Sequence, residues 1–156
     1  MPKEIERKFL VKDERWRRLA VGQRYRQGYL PTQGRCTVRV RTVGNQGYLT
    51  IKGLAQGLTR PEFEYAIPVE EAQAMLTTLC ERPFIDKVRY RIPLGAVVWE
   101  VDEFEAENAG LVLAEVELQH EDQALALPEW IGEEVTGDPR YYNVSLVKAP
   151  FQTWQR

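Results

Sequence analysis

Glu4, Glu6 and Lys8 fall on alternate positions of the chain, with Ile5 between the two acids. Residues two apart on a β-strand share one face, so this segment sets two carboxylates and an ammonium on the same side. The arrangement returns in Arg39/Arg41, Glu62/Glu64, Lys87/Arg89, Glu100/Asp102 and Glu115/Glu117, each pair flanking an apolar or aromatic residue. Like charges about 7 Å apart along a strand repel one another and call for compensation. Acidic pairs call for a divalent cation, and basic pairs call for a polyanion. A chain that carries both is suited to a metal–polyphosphate complex.

With 156 residues the chain is long enough for one domain with a substantial core, and we take residues 1–156 as that single unit. At 44% apolar and 28% charged residues, disorder and fibrous repeats are excluded. The net charge of −2 gives no reason to expect nucleic acid or an anionic membrane as partner. No apolar run approaches membrane-spanning length, and the N-terminus has no signal-peptide core. Cys36 and Cys80 have no metal-ligand spacing, so reduced thiols in a cytoplasmic protein are expected. His120, the one histidine, is read as a solvated loop residue.

Period-2 patterning marks eight strands, at 3–11, 24–30, 37–43, 47–53, 61–67, 86–92, 96–104 and 112–119. Gly44–Gly47 and Pro93–Gly95 have tight-turn chemistry and predict two antiparallel hairpins, and Asn108–Gly110 marks another reversal. Helices are expected at 13–20, behind an Asp13 cap, and at 69–80. A third is expected from Asp138 to Pro150, with Pro139 in its first turn.

Eight mainly antiparallel strands can form a sandwich or a closed barrel. In a sandwich the charged alternation would be an ordinary wet face. Solvated faces mix Ser, Thr, Gln, Lys and Glu, whereas here six strands carry in-phase pairs of like sign. The opposite phase is apolar: Ile5 and Phe9, Val38 and Val40, Leu49 and Ile51, Phe63 and Tyr65, Val88 and Tyr90, Val101, Val116 and Leu118. A barrel with its charges inward and its apolar face outward, clad by helices, satisfies both sets. Ion pairing alone is a poor reason to bury so many charges, since an apolar core would be at least as stable. A ligand that engages both signs explains them better.

Glu4-x-Glu6-x-Lys8 resembles the N-terminal signature of the CYTH superfamily, the triphosphate tunnel metalloenzymes. Gln27-Gly28-Tyr29-Leu30, Val38–Arg41, Leu49–Gly53, Arg60-x-Glu62-x-Glu64-Tyr65, Lys87-x-Arg89-Tyr90, Trp99–Asp102-x-Phe104, Ala114-Glu115-x-Glu117-Leu118 and Glu134–Asp138 follow the bacterial short form in order and spacing. The resemblance implies a mainly β, α+β protein: a closed eight-stranded antiparallel barrel with a charged interior and helices packed outside. It also implies dependence on Mg²⁺ or Mn²⁺. Glu4, Glu6, Glu115, Glu117 and Asp102 match metal-binding acids, with Glu62, Glu64 and Glu100 either at the metal or orienting the bases. Lys8, Arg39, Arg41, Lys52, Lys87 and Arg89 match a triphosphate cradle; residues 138–148 resemble the C-terminal helix that closes one tunnel mouth, and Arg140 is expected to reach the cradle from there. Lys52 beside Tyr29 resembles a base pair for water activation, although ordinary barrel packing also accounts for Tyr29. Trp16, Trp99, Trp130 and Trp154 are read as packing residues.

The activity implied is hydrolysis of inorganic triphosphate to pyrophosphate and phosphate. A class IV-type adenylate cyclase or a thiamine or nucleoside triphosphatase is the alternative within the fold, and needs a base-recognition pocket that the motifs do not supply. A non-catalytic polyphosphate-binding module is the alternative outside it, and would not need the acids. Whether the chain acts alone or as a homodimer is left open.

Overall fold

The computed structural model describes residues 1–154. Nine strands form one antiparallel sheet: β1 Lys3–Val11, β2 Gln23–Leu30, β3 Cys36–Val43, β4 Gln46–Gly53, β5 Thr59–Ile67, β6 Ile85–Leu94, β7 Val97–Phe104, β8 Val112–Glu117 and β9 Ile131–Glu134. Their order is β5-β4-β3-β2-β6-β7-β8-β1-β9, and pairing of β5 with the first residues of β1 closes β1–β8 into an eight-stranded barrel. Closure joins the two end strands over Lys3–Ile5 and Thr59–Pro61. Beyond Ile5, β1 parts from β5, and the short β9 takes the vacant side.

The two hairpins form as the turn residues require, with β3 on β4 and β6 on β7 in register. Gly44 and Gly95 take positive φ at the tips, where a side chain would be strained. The outward phase of β1, β7 and β8 (Ile5, Phe9, Trp99, Val101, Ala114, Val116) is buried under Trp16 and Trp130. Helix α1, Val69–Thr78, covers Val40 with Ala72 and Leu76. It lies so close that a Cβ at Gly28 would come within 2.9 Å of Leu76, and one at Gly47 within 2.8 Å of Ala72.

Three local expectations are revised. The helix at 13–20 is only a 3₁₀ turn, Arg15–Arg18, because Asp13 takes the Arg15 amide and the following bonds run i to i+3. The C-terminal helix is broken into a 3₁₀ turn, Pro139–Tyr141, and α2, Asn143–Lys148, with Tyr142 extended between them. Lys8 Nζ donates to the Tyr141 carbonyl at 3.1 Å, which diverts that acceptor from a helical ladder. Strand β9 was not expected, since Ile-Gly-Glu-Glu is short and lacks alternation. It is held from outside by the Arg7–Glu134 pair.

The barrel interior is not polar throughout. At one end the inward phase becomes apolar: Leu10, Tyr29, Ile85, Phe104 and Leu113 meet Leu146 and Val147 of α2. Helix α2 therefore closes this end of the barrel, as expected of the C-terminal helix.

Candidate active site

The register settles which side chains face each other. Glu6 lies opposite Glu117, Lys8 opposite Glu115, Glu100 opposite Glu115, and Arg89 opposite Asp102. Gln27 lies opposite Arg41, Arg39 opposite Thr50, Thr50 opposite Glu64, and Lys52 opposite Glu62. Paired residues on neighbouring strands point to the same face, so the acids and bases share the interior. Glu4, Glu6, Arg39, Arg41, Lys52, Arg89 and Glu115 line both of two cavities of about 650 and 430 Å³, which meet at mid-barrel. The larger extends to α2 and adds Lys8, Lys87, Tyr29, Arg60, Tyr142 and Asn143; the smaller adds Glu62, Glu64, Glu100 and Glu117.

Around the circumference the charges separate. The acids sit on the contiguous arc β7-β8-β1-β5, and Arg39, Arg41, Lys52, Lys87 and Arg89 sit on β4-β3-β2-β6. Lys8 and Arg60 are the bases within the acidic arc.

Compensation is uneven. Burial would raise the Glu4 carboxyl, but Lys52 (3.1 Å) and Arg60 (3.1 Å) hold it below its ordinary value. Burial would likewise raise Glu115, yet Lys8, Arg89 and Lys87 hold it well below. Glu6 is pushed well above its ordinary value by burial and by Glu115 and Glu4. Glu117 is raised by burial and by Glu4, Glu62 and Glu100. Neither Glu6 nor Glu117 has an ion pair among the described residues.

Where the two arcs meet, Asp102 of β7 is fully buried against Arg89 (2.7 Å) and Lys87 (2.8 Å) of β6. It does not line either cavity and orients two bases from behind. Even so, burial and the nearby Arg89 and Arg41 push Lys87 down to about 7, with Asp102 opposing them. Burial with Arg39 and Arg89 pushes Arg41 down to about 9. Arg39 keeps a buried Nε without a hydrogen-bond partner. Unpaired buried donors are costly and mark a place where an acceptor belongs.

The structure brings together every motif acid and base named from the sequence except Arg140, which lies on the surface paired to Asp138 at 2.7 Å. Tyr29 and Lys52 line one cavity without a mutual hydrogen bond. Tyr29 accepts from Gln27 at 2.9 Å, and Lys52 Nζ is held by Glu4 and Glu62. Sequence reasoning missed Gln27, Arg60 and Asn143. Arg60 was in phase with Glu62 and could have been found. Gln27 is neutral, and Asn143 reaches Lys87 across 56 residues of chain, so neither had a visible partner.

A closed barrel with opposed acidic and basic arcs around a central cavity defines a tunnel for a charged ligand. The CYTH domain model matches residues 2–147, and the chain belongs to the CYTH domain family. It is 50% identical to an inorganic triphosphatase of Acetivibrio thermocellus, over 99% of both chains. It is also 39% identical to an inorganic triphosphatase of Nitrosomonas europaea, over 92% of this chain and 95% of the relative. Its fold matches the crystal structure of an inorganic triphosphatase with a TM-score of 0.63 at 37% identity, over 92% of this chain and 96% of the other.

Proposed function

We propose that this protein is an inorganic triphosphatase, hydrolysing tripolyphosphate to pyrophosphate and phosphate within the barrel. One observation carries the reading: among the described residues the tunnel leaves both signs of charge without an ion pair, on Glu6 and Glu117 in one arc and on Arg41, held only by the Gln27 amide, in the other. A polyphosphate alone would satisfy only the basic arc, whereas a metal–triphosphate complex satisfies both. Phosphoryl transfer relies mainly on positioning and charge neutralisation, which such a cradle provides.

The donor set fits a hard divalent cation. Glu6, Glu115, Glu117 and Glu4 offer carboxylate oxygens, and Mg²⁺ or Mn²⁺ would be held there. No three acidic groups among the described residues converge into a ready chelate, so an ion held by these carboxylates would also need water and phosphate oxygens, as Mg²⁺ commonly does. Such an ion neutralises phosphate oxygens and lowers the pKa of a bound water. Arg39, Arg41, Arg89, Lys87 and Lys8 bind the phosphates, guanidinium forks suiting paired oxygens and the ammonium groups acting as point charges. Arg140 is left out of the cradle. Lys52 and Tyr29 are the proposed pair for removing a proton from the attacking water, Lys52 as base. That role requires Lys52 to leave Glu4 and Glu62 first.

A second reading has its own support. Leu54, Ala55, Leu58 and Val144 line the larger cavity and could receive the organic end of a nucleoside or thiamine triphosphate. No helix among the described residues is long and apolar enough to cross a membrane; a cytoplasmic single-domain enzyme with no nucleic-acid partner is part of the proposal. Phosphate release should be measured from tripolyphosphate, ATP, thiamine triphosphate and pyrophosphate, with and without Mg²⁺ or Mn²⁺. Metal-dependent release from tripolyphosphate, with pyrophosphate untouched, is expected. Faster turnover of ATP would favour the second reading, and no release from any of them would leave a binding module.

A further inference from the structure

Among the tunnel bases, Arg41 alone has no carboxylate within ion-pair distance among the described residues. Lys8 is 3.6 Å from Glu115, Arg39 3.3 Å from Glu64, Lys52 and Arg60 each 3.1 Å from Glu4, and Lys87 and Arg89 share Asp102. Arg41 instead has a neutral amide. Gln27 is fully buried, and its Oε1 accepts from Arg41 Nε at 3.0 Å and from Nη2 at 2.8 Å. Gln27 Nε2 donates to the Tyr29 hydroxyl at 2.9 Å and to Asn143 Oδ1 at 3.1 Å, and Asn143 Oδ1 also accepts from Lys87 Nζ at 2.9 Å.

Every hydrogen-bonding position of the Gln27 amide is used, which fixes which end faces Arg41. The reverse orientation would set an NH₂ group against a guanidinium. Strand β2 lies between β3 and β6; Gln27 is opposite Arg41 on one side and Ile85 on the other, and it is joined to Lys87 through Asn143 Oδ1. A fully satisfied buried network of this kind rigidifies its members.

We propose that Gln27 is a positioning residue that aims Arg41 at the substrate without neutralising it, so that this charge is met only by the bound triphosphate. A glutamate here would keep one oxygen on Arg41 Nε and Nη2 as a charge-assisted contact stronger than the amide's, with the Tyr29 hydroxyl donating to its other oxygen and the Asn143 amide turning to do the same. It would stabilise the empty tunnel and leave less attraction for a phosphate. The amide gives up that stability and keeps Arg41 in aim. The low-lying equilibrium of Arg41 agrees with a cation held without a counter-charge. The inference rests on the reading that this arc cradles phosphate, and it extends that reading to the residue that orients the cradle.

Gln27→Glu and Gln27→Met test it by thermal melts without ligand, by tripolyphosphate-induced melting shifts without metal, and by steady-state kinetics. In Gln27→Glu the ligand-free melting temperature should rise by at least about 2 °C. Its KM for tripolyphosphate should rise at least about tenfold, as expected for a unit charge introduced near the phosphates, with kcat within about threefold. Gln27→Met keeps the volume but loses the aim, so its melting temperature should fall while KM rises by a similar factor. A lower ligand-free melting temperature in Gln27→Glu would overturn the proposal, because Arg41 would then not lack a counter-charge. So would tripolyphosphate affinity within about twofold of wild type in Gln27→Met. If wild-type protein shows no tripolyphosphate-induced shift, the functional reading fails, and the ligand-free melt of Gln27→Glu still decides the charge state of Arg41.

Discussion

The acidic and basic arcs of the barrel share one strand phase, yet they differ in burial and in compensation: Arg39, Arg41, Lys87 and Arg89 are buried, whereas Glu64 and Glu117 are exposed. On the basic arc the bases are braced from behind: Asp102 supports Lys87 and Arg89, Thr50 and Glu64 support Arg39, and Gln27 supports Arg41. On the acidic arc Glu4 and Glu115 are held ionised by bases, while Glu6 and Glu117 face other acids. The basic arc is thus a shaped receptor with fixed donors, and the acidic arc holds carboxyls, Glu6 above all, whose ionisation an arriving cation would favour. A barrel built for stability alone would have matched the two arcs against each other, because uncompensated buried charges are expensive. The mismatch on both sides is the mark of a ligand that is itself a neutralised pair.

The largest effect that could break this contrast is expected at Glu6. Glu6→Gln should lower metal-dependent tripolyphosphate hydrolysis on the order of 10²-fold or more, as when a group that serves charge neutralisation is lost. It should weaken Mn²⁺ binding in a direct titration and yet raise stability near neutral pH. The sign follows from linkage: a carboxyl raised in the folded state contributes stability below its unfolded pKa and loses it as pH rises through the folded value. Removing Glu6 should therefore flatten the stability profile on the alkaline side of its ordinary value. Unchanged Mn²⁺ affinity in Glu6→Gln would place the ion elsewhere.

Next comes Lys87, where the basic arc is most strained. Its equilibrium near 7 lies below that of an unfolded lysine, so between about pH 7 and pH 10 the unfolded chain binds the extra proton and stability rises with pH through this window. Tripolyphosphate favours the ammonium form, so binding at about pH 8 should take up a proton, measurable by calorimetry in buffers of different ionisation enthalpy. Lys87→Met should abolish that uptake and raise KM by about tenfold.

Lys52→Arg sharpens the question of proton removal. With Lys52 as base, the variant should still bind tripolyphosphate and lose at least about tenfold in kcat, because a guanidinium gives up its proton far less readily than an ammonium. Near-normal kcat would reduce Lys52 to a phosphate ligand. The smallest effect is expected at Arg140, whose exposed pair with Asp138 lies outside both arcs: Arg140→Ala should change kcat/KM by less than about twofold.

Much of this contrast was legible in the chain itself. In-phase pairs such as Arg39/Arg41 and Glu115/Glu117 placed acids and bases on one face, and the turns at Gly44 and Gly95 set two hairpins. What stayed hidden depends on long-range partners. Tyr142 breaks a helical pattern because Lys8, far away in the chain, takes the Tyr141 carbonyl. The β9 segment is a strand because β1 leaves one side open after Ile5. Leu10, Ile85, Phe104 and Leu113 continue the inward phase of Lys8, Lys87, Asp102 and Glu115, but only the position of α2 turns them into an apolar plug. Gln27 has no charge to betray it, and its role depends on Arg41 lacking an acid.

The division of labour between the arcs is tested most directly by a crystal structure with Mn²⁺ and a non-hydrolysable triphosphate analogue, using the anomalous signal to locate the metal. The anomalous peak is expected against carboxylates of β1 and β8, with Glu6 among its ligands, and the phosphates against Arg39, Arg41, Lys87 and Arg89. A metal bound only by phosphate oxygens away from Glu6 and Glu117, or phosphates seated outside the basic arc, would contradict it.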